Sequence, residues 1–294
     1  MSREPTGLAL YDKTAQDAAA AVIAAYSTSF GLATRLLGPR PRPHVRNIYA
    51  LVRIADEIVD GPAAAAGLDP AAARAVLDEL EAETVTAIGR GFSSNLVVHA
   101  FARTARECGI GEALIRPFFA SMRTDLLTAR HDAASHDDYV YGSAEVVGLM
   151  CLQVFVNAGS KHPVAPDAEL VDGARRLGAA FQDVNFLRDL HHDEDALGRD
   201  YLGIASGSSD RIAVLDRIDA DLAAAAAVIP RLPADCRRAV TAAHDLFAAL
   251  STRLRRDSAS EERIRVPDPV KATLAARAWL GFAPRHQRTA RARA

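Results

Sequence analysis

Apolar positions fall into segments of roughly 12–25 residues, cut by proline, glycine and short polar clusters, a length typical of packed helices. Period-two alternation of β-branched residues is scarce and alanine is abundant, so strands have little support. Gly38-Pro39-Arg40-Pro41-Arg42-Pro43 separates a segment ending near Leu37 from one starting near His44. Gly61-Pro62 closes that second segment, and Asp69 before Pro70 predicts an N-cap with proline in the first turn. Residues 89–94 break the pattern again, and Ser135-His136-Asp137-Asp138 predicts a capping cluster ahead of Tyr139. Lys161-His162-Pro163, running on to Asp167, divides two further helices. Residues 198–210 predict a long loop, and Pro230, Pro233, Pro267 and Pro269 punctuate the last third. No internal repeat and no linker divides the chain. The pattern predicts an all-α fold in a single domain over residues 1–294, with frayed ends at about 1–13 and 284–294.

Two of the predicted helices carry carboxylates where a soluble helix would bury carbon. In the stretch from Tyr49 to Gly61, Asp56 and Asp60 are four apart and share one face, and Arg53 and Tyr49 continue the stripe. Leu51, Val52, Ile54, Ile58 and Val59 flank it. Like charges at this spacing destabilise a helix, and carboxylates in apolar company require a counter-charge, for which a divalent cation suffices. In the second stretch, Gln182, Asn185, Asp189 and Asp193 follow at steps of three, four and four, with Arg188 beside them and Val184, Phe186, Leu187 and Leu190 supplying apolar surface. Asn and Asp oxygens are hard ligands, suited to Mg²⁺ that keeps part of its water shell and serves substrate phosphates. Two facing acidic stripes with arginines are what ionisation of a diphosphate needs, because the leaving group is highly charged. His191-His192-Asp193 predicts no transition-metal site, since adjacent histidines on a helix diverge by about 100°. Asp137-Asp138 is read as helix capping.

Composition narrows the class. The 294 residues carry 35 Lys+Arg against 37 Asp+Glu, a net charge of −2, so no basic field is available for nucleic acid. The cysteines (Cys108, Cys151, Cys236) are far apart and form no CxxC pair, which predicts a reducing, cytoplasmic setting. The start carries no signal-peptide pattern, and no uninterrupted apolar run reaches about 18 residues. The basic end (residues 284–294) is read as a solvated tail, with weak attraction to an anionic membrane surface as the alternative. No GxGxxG, Walker A or GxSxG motif anchors a nucleotide-binding or hydrolase reading.

These motifs in combination resemble the squalene/phytoene synthases, over about residues 15–280. Tyr26-Ser27-Thr28-Ser29-Phe30 is similar to the family's early Ser-x-Ser-Phe element, and Asp56-Glu57-Ile58-Val59-Asp60, with Tyr49 and Arg53 upstream, resembles its first aspartate-rich motif. Tyr139-Val140-Tyr141-Gly142, followed by Val147-Gly148, is similar to the central tyrosine element. Gln182, Asn185, Arg188, Asp189 and Asp193 match the second aspartate-rich motif, Arg199 opens an Arg-x-Tyr-Leu, and Arg263-Ile264-Arg265-Val266 resembles the C-terminal basic segment. Glu145 stands where the family usually has glycine, and Leu246 near a common tyrosine.

The resemblance implies a single large helical domain of the class I isoprenoid synthase type with a central cavity. It implies phytoene synthesis from two geranylgeranyl diphosphates, with squalene or dehydrosqualene synthesis from farnesyl diphosphate, or a single-substrate terpene cyclase, as alternatives. Asp56, Asp60, Asn185, Asp189 and Asp193 are implied metal ligands for about three Mg²⁺, or Mn²⁺ in their place, since two diphosphates carry about six negative charges. Asp56, Asp60, Asp189, Asp193, Arg53 and Arg188 are the implied catalytic set. Ser27, Ser29, Phe30, Tyr49, Arg53, Tyr139, Gln182, Arg188, Arg199 and Arg263 are implied substrate contacts. NADPH is not expected for the phytoene reading. A monomer or weak dimer is expected, in the cytoplasm or peripheral at the inner membrane face. Glu145 either faces the cavity or pairs with an arginine such as Arg123.

Overall fold

Capping residues fix the helix ends. Asp69 Oδ1 accepts from the Ala72 amide at 2.8 Å, ahead of a helix that opens on Pro70. Asn95 Oδ1 accepts from Val97 and Val98 at 3.1 and 3.4 Å. Gly91 and Gly109 take the left-handed conformation, φ 82° and 75°, at the C-terminal ends. The computed structural model describes residues 6–27, 29–127, 133–192, 208–256 and 264–285. Among them there is no strand. The helices are α1 (Leu8–Tyr26), α2 (Ser29–Arg35), α3 (Arg42–Val59), α4 (Pro62–Ala65), α5 (Pro70–Arg90), α6 (Leu96–Cys108), α7 (Glu112–Leu127), α8 (Ala133–Val140), α9 (Val146–Asn157), α10 (Ala168–His192), α11 (Ser208–Val228), α12 (Ala234–Arg256) and α13 (Asp268–Trp279). A π-helical turn, Tyr141–Glu145, joins α8 to α9.

Four boundaries differ from the sequence reading. Helix α1 starts at Leu8, inside the segment expected to fray, because distant partners hold it: Asp12 meets His99 Nε2 at 2.8 Å and Arg103 at 3.3 Å, and the Tyr11 hydroxyl donates to the Ser93 carbonyl at 2.9 Å. Asp137 and Asp138 are exposed inside α8 and do not cap it, since the helix already runs through Ala133-Ala134, good helix formers. Helix α5 continues through Gly89 to Arg90. Of the expected loop over 198–210, Ser208 to Asp210 belong to α11 and the rest lies outside the described residues.

The two largest apolar clusters among the described residues form most of the interior. The larger takes Ile48, Leu51, Leu77, Phe101, Phe118 and Met150 from α3, α5, α6, α7 and α9. The other takes Val184, Leu187, Leu215, Ile218, Leu222 and Phe247 from α10, α11 and α12. Helices α3, α9 and α10 line the space between them. The stretch Ser135–Asn157 has the length and mean hydropathy (1.5) of a membrane span. Much of that apolar surface is used internally, because Tyr139, Ala144, Val147, Cys151, Leu152 and Phe155 line the cavity.

The approach of the π turn to α10 depends on Gly178: a Cβ there would lie 2.7 Å from the Ala144 carbonyl oxygen and 3.0 Å from Glu145 Cα. Gly142 is likewise closed against Ser121 Oγ and the Pro117 carbonyl. The extra residue that a π turn inserts re-aims side chains, and here Ser143 and Ala144 line the cavity.

Candidate functional site

A cavity of about 790 Å³ runs between the two clusters. Each acidic stripe lies at the C-terminal end of a helix whose N-terminal part is apolar. Along α3 the lining reads Val45, Ile48, Tyr49, Val52, Arg53, Asp56, and Asp60 follows the helix end; along α10 it reads Leu170, Ala174, Leu177, Phe181, Asn185, Asp189. The rise from Val45 to Asp56 is about 16 Å, and from Leu170 to Asp189 about 28 Å. One end of the cavity is therefore charged. The far end is hydrocarbon: Leu152, Ile229 and Leu232 with Phe155, Leu170 and Val240.

Ten of the anticipated residues line this one cavity: Phe30, Tyr49, Arg53, Asp56, Asp60, Tyr139, Gln182, Asn185, Arg188 and Asp189. Ser27 lines an adjoining groove; its oxygen accepts from the Phe30 amide at 3.0 Å, and it is hydrogen-bonded to Tyr49. Ser29 opens α2. Asp193, Arg199 and Arg263 lie outside the described residues.

The charged end carries excess negative charge. Burial holds the Asp56 carboxyl well above the usual carboxylate range, and the charges of Asp60, Asp125 and Glu57 add to it, while Arg53 opposes them. Arg53 pairs with Glu57 one turn on and lies 4.6 Å over the Tyr26 ring, and its buried Nε has no acceptor. Arg188 pairs through two nitrogens with its neighbour Asp189, at 3.0 and 2.6 Å. Burial raises Tyr49, and Phe30 links it to α10, with ring centroids 6.3 Å from Tyr49 and 6.4 Å from Phe181.

Asp125, on α7, is a site residue the sequence reading missed. It is 7% exposed, lines the cavity and accepts from the Tyr139 hydroxyl at 2.8 Å. The signal available was an aspartate one turn beyond Ser121 and Met122 on a mostly apolar helix, with no second acid at i+4 to mark it. Glu145 does not line the cavity. Its Oε2 accepts from Arg175 at 2.6 Å, whereas Arg123 is occupied by Asp78 and Glu81. Its partner is thus an arginine of α10, across the contact that Gly178 opens.

Among the described residues, no three His, Cys, Asp or Glu side chains converge on a ready-made metal shell. The donors are hard oxygens distributed around the charged end: Asp56, Asp60, Asp125, Asn185 and Asp189. That arrangement suits a cation that fills its shell from water and ligand phosphates, and the crowding that raises Asp56 is what such a cation would relieve.

Comparison with known proteins agrees with this geometry. The family model for squalene/phytoene synthase matches residues 23–204. The chain is 34% identical over 192 residues to phytoene synthase 1, chloroplastic, of Arabidopsis thaliana, covering 64% of this chain and 43% of that protein. It is 33% identical over 186 residues to a 15-cis-phytoene synthase of Synechocystis, covering 62% and 53%. A 15-cis-phytoene synthase of Paracoccus is 28% identical over 262 residues, 82% of each chain. The matched region thus spans about half the length of the first two relatives. The fold is shared with a dehydrosqualene synthase crystallised with ligand, TM-score 0.75 at 21% identity, covering 92% of this chain and 96% of that one. A squalene synthase of Alicyclobacillus acidocaldarius gives 0.72 at 19% identity, covering 84% and 95%.

Proposed function

We infer the reaction from one premise: the chain belongs to the squalene/phytoene synthase family. We propose that it joins two geranylgeranyl diphosphates head to head, through a cyclopropylcarbinyl diphosphate, to give phytoene and two diphosphates; one proton is lost as the cyclopropane closes and one at the end, and the two diphosphates take them up. The observation that carries this reading is the division of one cavity into a charged end and a long hydrocarbon end. The relatives named above as phytoene synthases, 28–34% identical, support the twenty-carbon substrate.

The residues divide the work by position. Arg53 and Arg188 supply fixed positive charge to the diphosphates, and the unsatisfied Arg53 Nε–H is a donor that a diphosphate oxygen would accept from. Gln182 offers an amide at the same end. Asp56, Asp60, Asn185 and Asp189 would hold Mg²⁺, or Mn²⁺ in its place, with Asp125 beside Asp56; Asp193, outside the described residues, follows them in the sequence. When bound, the metal supplies positive charge to the departing diphosphate oxygen. Phe30, Tyr49 and Phe181 present aromatic rings beside the charged end, where an allylic cation formed by loss of diphosphate gains from ring faces. The apolar far end excludes water, so the cation meets the double bond of the second chain rather than a hydroxyl. Loss of a proton ends the sequence, and no NADPH is needed. The product is a hydrocarbon, so we place the enzyme in the cytoplasm, working beside the inner membrane face.

The test is direct. Purified protein is incubated with Mg²⁺ and geranylgeranyl or farnesyl diphosphate, and the hydrocarbon is identified by mass. A forty-carbon product from geranylgeranyl diphosphate is expected. A thirty-carbon product from farnesyl diphosphate alone would replace this reading with squalene or dehydrosqualene synthesis, and no hydrocarbon from either would overturn it.

A further inference from the structure

A second hollow, of about 670 Å³, lies beside the catalytic cavity, between α1 and α2 on one side and α12 and α13 on the other. The two are separated by a single layer, because Ile23, Phe30, Ala33, Thr34 and Ala243 line both. The walls that belong to the groove alone include a run of alanines, Ala20, Ala24, Ala242, Ala272 and Ala275, with Leu32, Leu246 and Leu274 beside them.

The charge of this groove is opposite to that of the cavity's charged end. Arg35 and Arg46 line it, and among the described residues neither has a carboxylate within ion-pair distance. Lys271 and Asp268 also line it, but they pair with each other at 3.1 Å and so contribute no net charge. The neighbouring Arg42 is committed to backbone, with Nε donating to the Leu37 carbonyl at 3.0 Å and Nη2 to the Arg35 carbonyl at 3.0 Å. Burial and the charges of Arg42 and Arg35 lower the Arg46 guanidinium pKa, the direction expected where positive charge lacks a counter-ion. A molecule that complements the groove has a multiply charged anionic head and a hydrocarbon tail.

We propose that this groove is a loading site for a prenyl diphosphate, outside the catalytic cavity, with the head on Arg35 and Arg46 and the tail along the alanine wall. The inference rests on the reading under Proposed function. It differs from the catalytic site in one measurable property: arginine, not metal, neutralises the head. The rise from Arg46 to Arg53 along α3 is about 10 Å, so a diphosphate at the groove stands about two turns from the charged end of the cavity.

The test is equilibrium dialysis with the thiolo analogue of geranylgeranyl diphosphate, which does not ionise, in EDTA and in Mg²⁺. One metal-independent site per chain is expected in EDTA, weakening as salt rises. Arg46→Glu reverses the charge, and Ala275→Trp fills the groove without changing charge. Each should weaken binding in EDTA at least tenfold and leave the Mg²⁺-dependent binding intact, and the retained metal-dependent site shows that the variant is folded. No binding in EDTA, or EDTA binding unchanged in both variants, overturns the proposal while leaving the catalytic reading in place. No binding with or without Mg²⁺ removes the catalytic reading as well. Flotation with phosphatidylglycerol vesicles is the companion measurement. Loss of flotation in both variants with analogue binding unchanged would make the occupant a phospholipid and also overturn the proposal.

Discussion

The hydroxyl of Tyr139, at the end of α8, donates to Asp125 Oδ2 on α7 across 2.8 Å, and both side chains are almost fully buried while lining the cavity. The bond holds a carboxylate beside Asp56 that no motif contains. Tyr139→Phe leaves that carboxylate short of a donor, at a cost of about 1–3 kcal/mol. A melting temperature lowered by several degrees is expected, with turnover reduced at least tenfold. Asp125→Asn keeps an acceptor and removes the charge. It should raise the Mg²⁺ concentration needed for half-maximal rate, and an unchanged Mg²⁺ titration would separate Asp125 from the cation's field.

Asp56 illustrates a site held against its own stability. Its carboxylate is buried near Asp60 and Asp125, so the metal-free protein bears a repulsion that Arg53 offsets only in part. Asp56→Asn should therefore lower turnover by about a thousandfold, on the scale of a lost electrostatic group at the reacting centre. The metal-free melting temperature should hold steady or rise. Calorimetry in EDTA checks the second half, and a clear drop in stability would show that Asp56 is a structural residue.

The pairing of Glu145 with Arg175 gives it a packing role. Arg175 is about half exposed, so the ion pair contributes roughly 0–1 kcal/mol. Its guanidinium also lies 5.3 Å from the Tyr141 ring. Glu145→Gly loses the pair and introduces glycine next to α9, a further loss of about 1 kcal/mol. The melting temperature should fall by a few degrees, and the ratio of geranylgeranyl to farnesyl turnover should stay within twofold of the parent. A shifted ratio at unchanged stability would return Glu145 to the cavity.

Much of the site could be read along the chain because its residues repeat at helical spacing. Asp56 and Asp60, or Gln182, Asn185 and Asp189, mark one face of one helix, and a face is a local property. Residues defined by a partner on another helix could not be read this way. Asp125 acquires its role only when α7 brings it to Tyr139, and Glu145 meets Arg175 only because Gly178 admits the π turn. The start of α1 is the same case, since Asp12 is held by His99 and Arg103, which lie far along the chain on α6. Asp137-Asp138 misled for a different reason. A capping residue is recognised by what precedes it, and Ala133-Ala134 already continue the helix.

His44 gives a pH dependence of stability independent of the charged end. Its ring is half-buried, with Nδ1 3.0 Å from Thr104 Oγ1. Burial lowers its pKa below 6.5; Glu107 opposes that shift, and Arg103 and Arg40 add to it. The unfolded chain therefore takes up this proton first as pH falls. The stabilisation is fully present above the unfolded value near 6.5 and is lost as pH drops toward the lower folded value. His44→Gln should flatten the decline in melting temperature between about pH 7 and pH 5 relative to the parent. Parallel curves would mean that His44 titrates alike in both states.

Substrate length should be set at the far end of the cavity, where α9, α10 and α12 meet. Leu152, Ile229 and Leu232 pack there with Phe155, Leu170 and Val240, while Leu37 and Ala239 close the side toward α2. In the proposed reaction the diphosphate is held at the charged end, so the tail reaches toward this cluster by an amount set by its carbon count. Val240→Phe adds volume on the cavity wall. It should cut geranylgeranyl turnover at least tenfold and leave farnesyl turnover within threefold, because the shorter tail stops before the obstruction. Overpacking costs about 1–3 kcal/mol, so the melting temperature must be followed alongside. The converse change, Phe155→Ala, opens the same end and should favour the longer substrate. Equal losses with both substrates in Val240→Phe, at unchanged stability, would place the tail elsewhere and remove this cluster from the control of chain length.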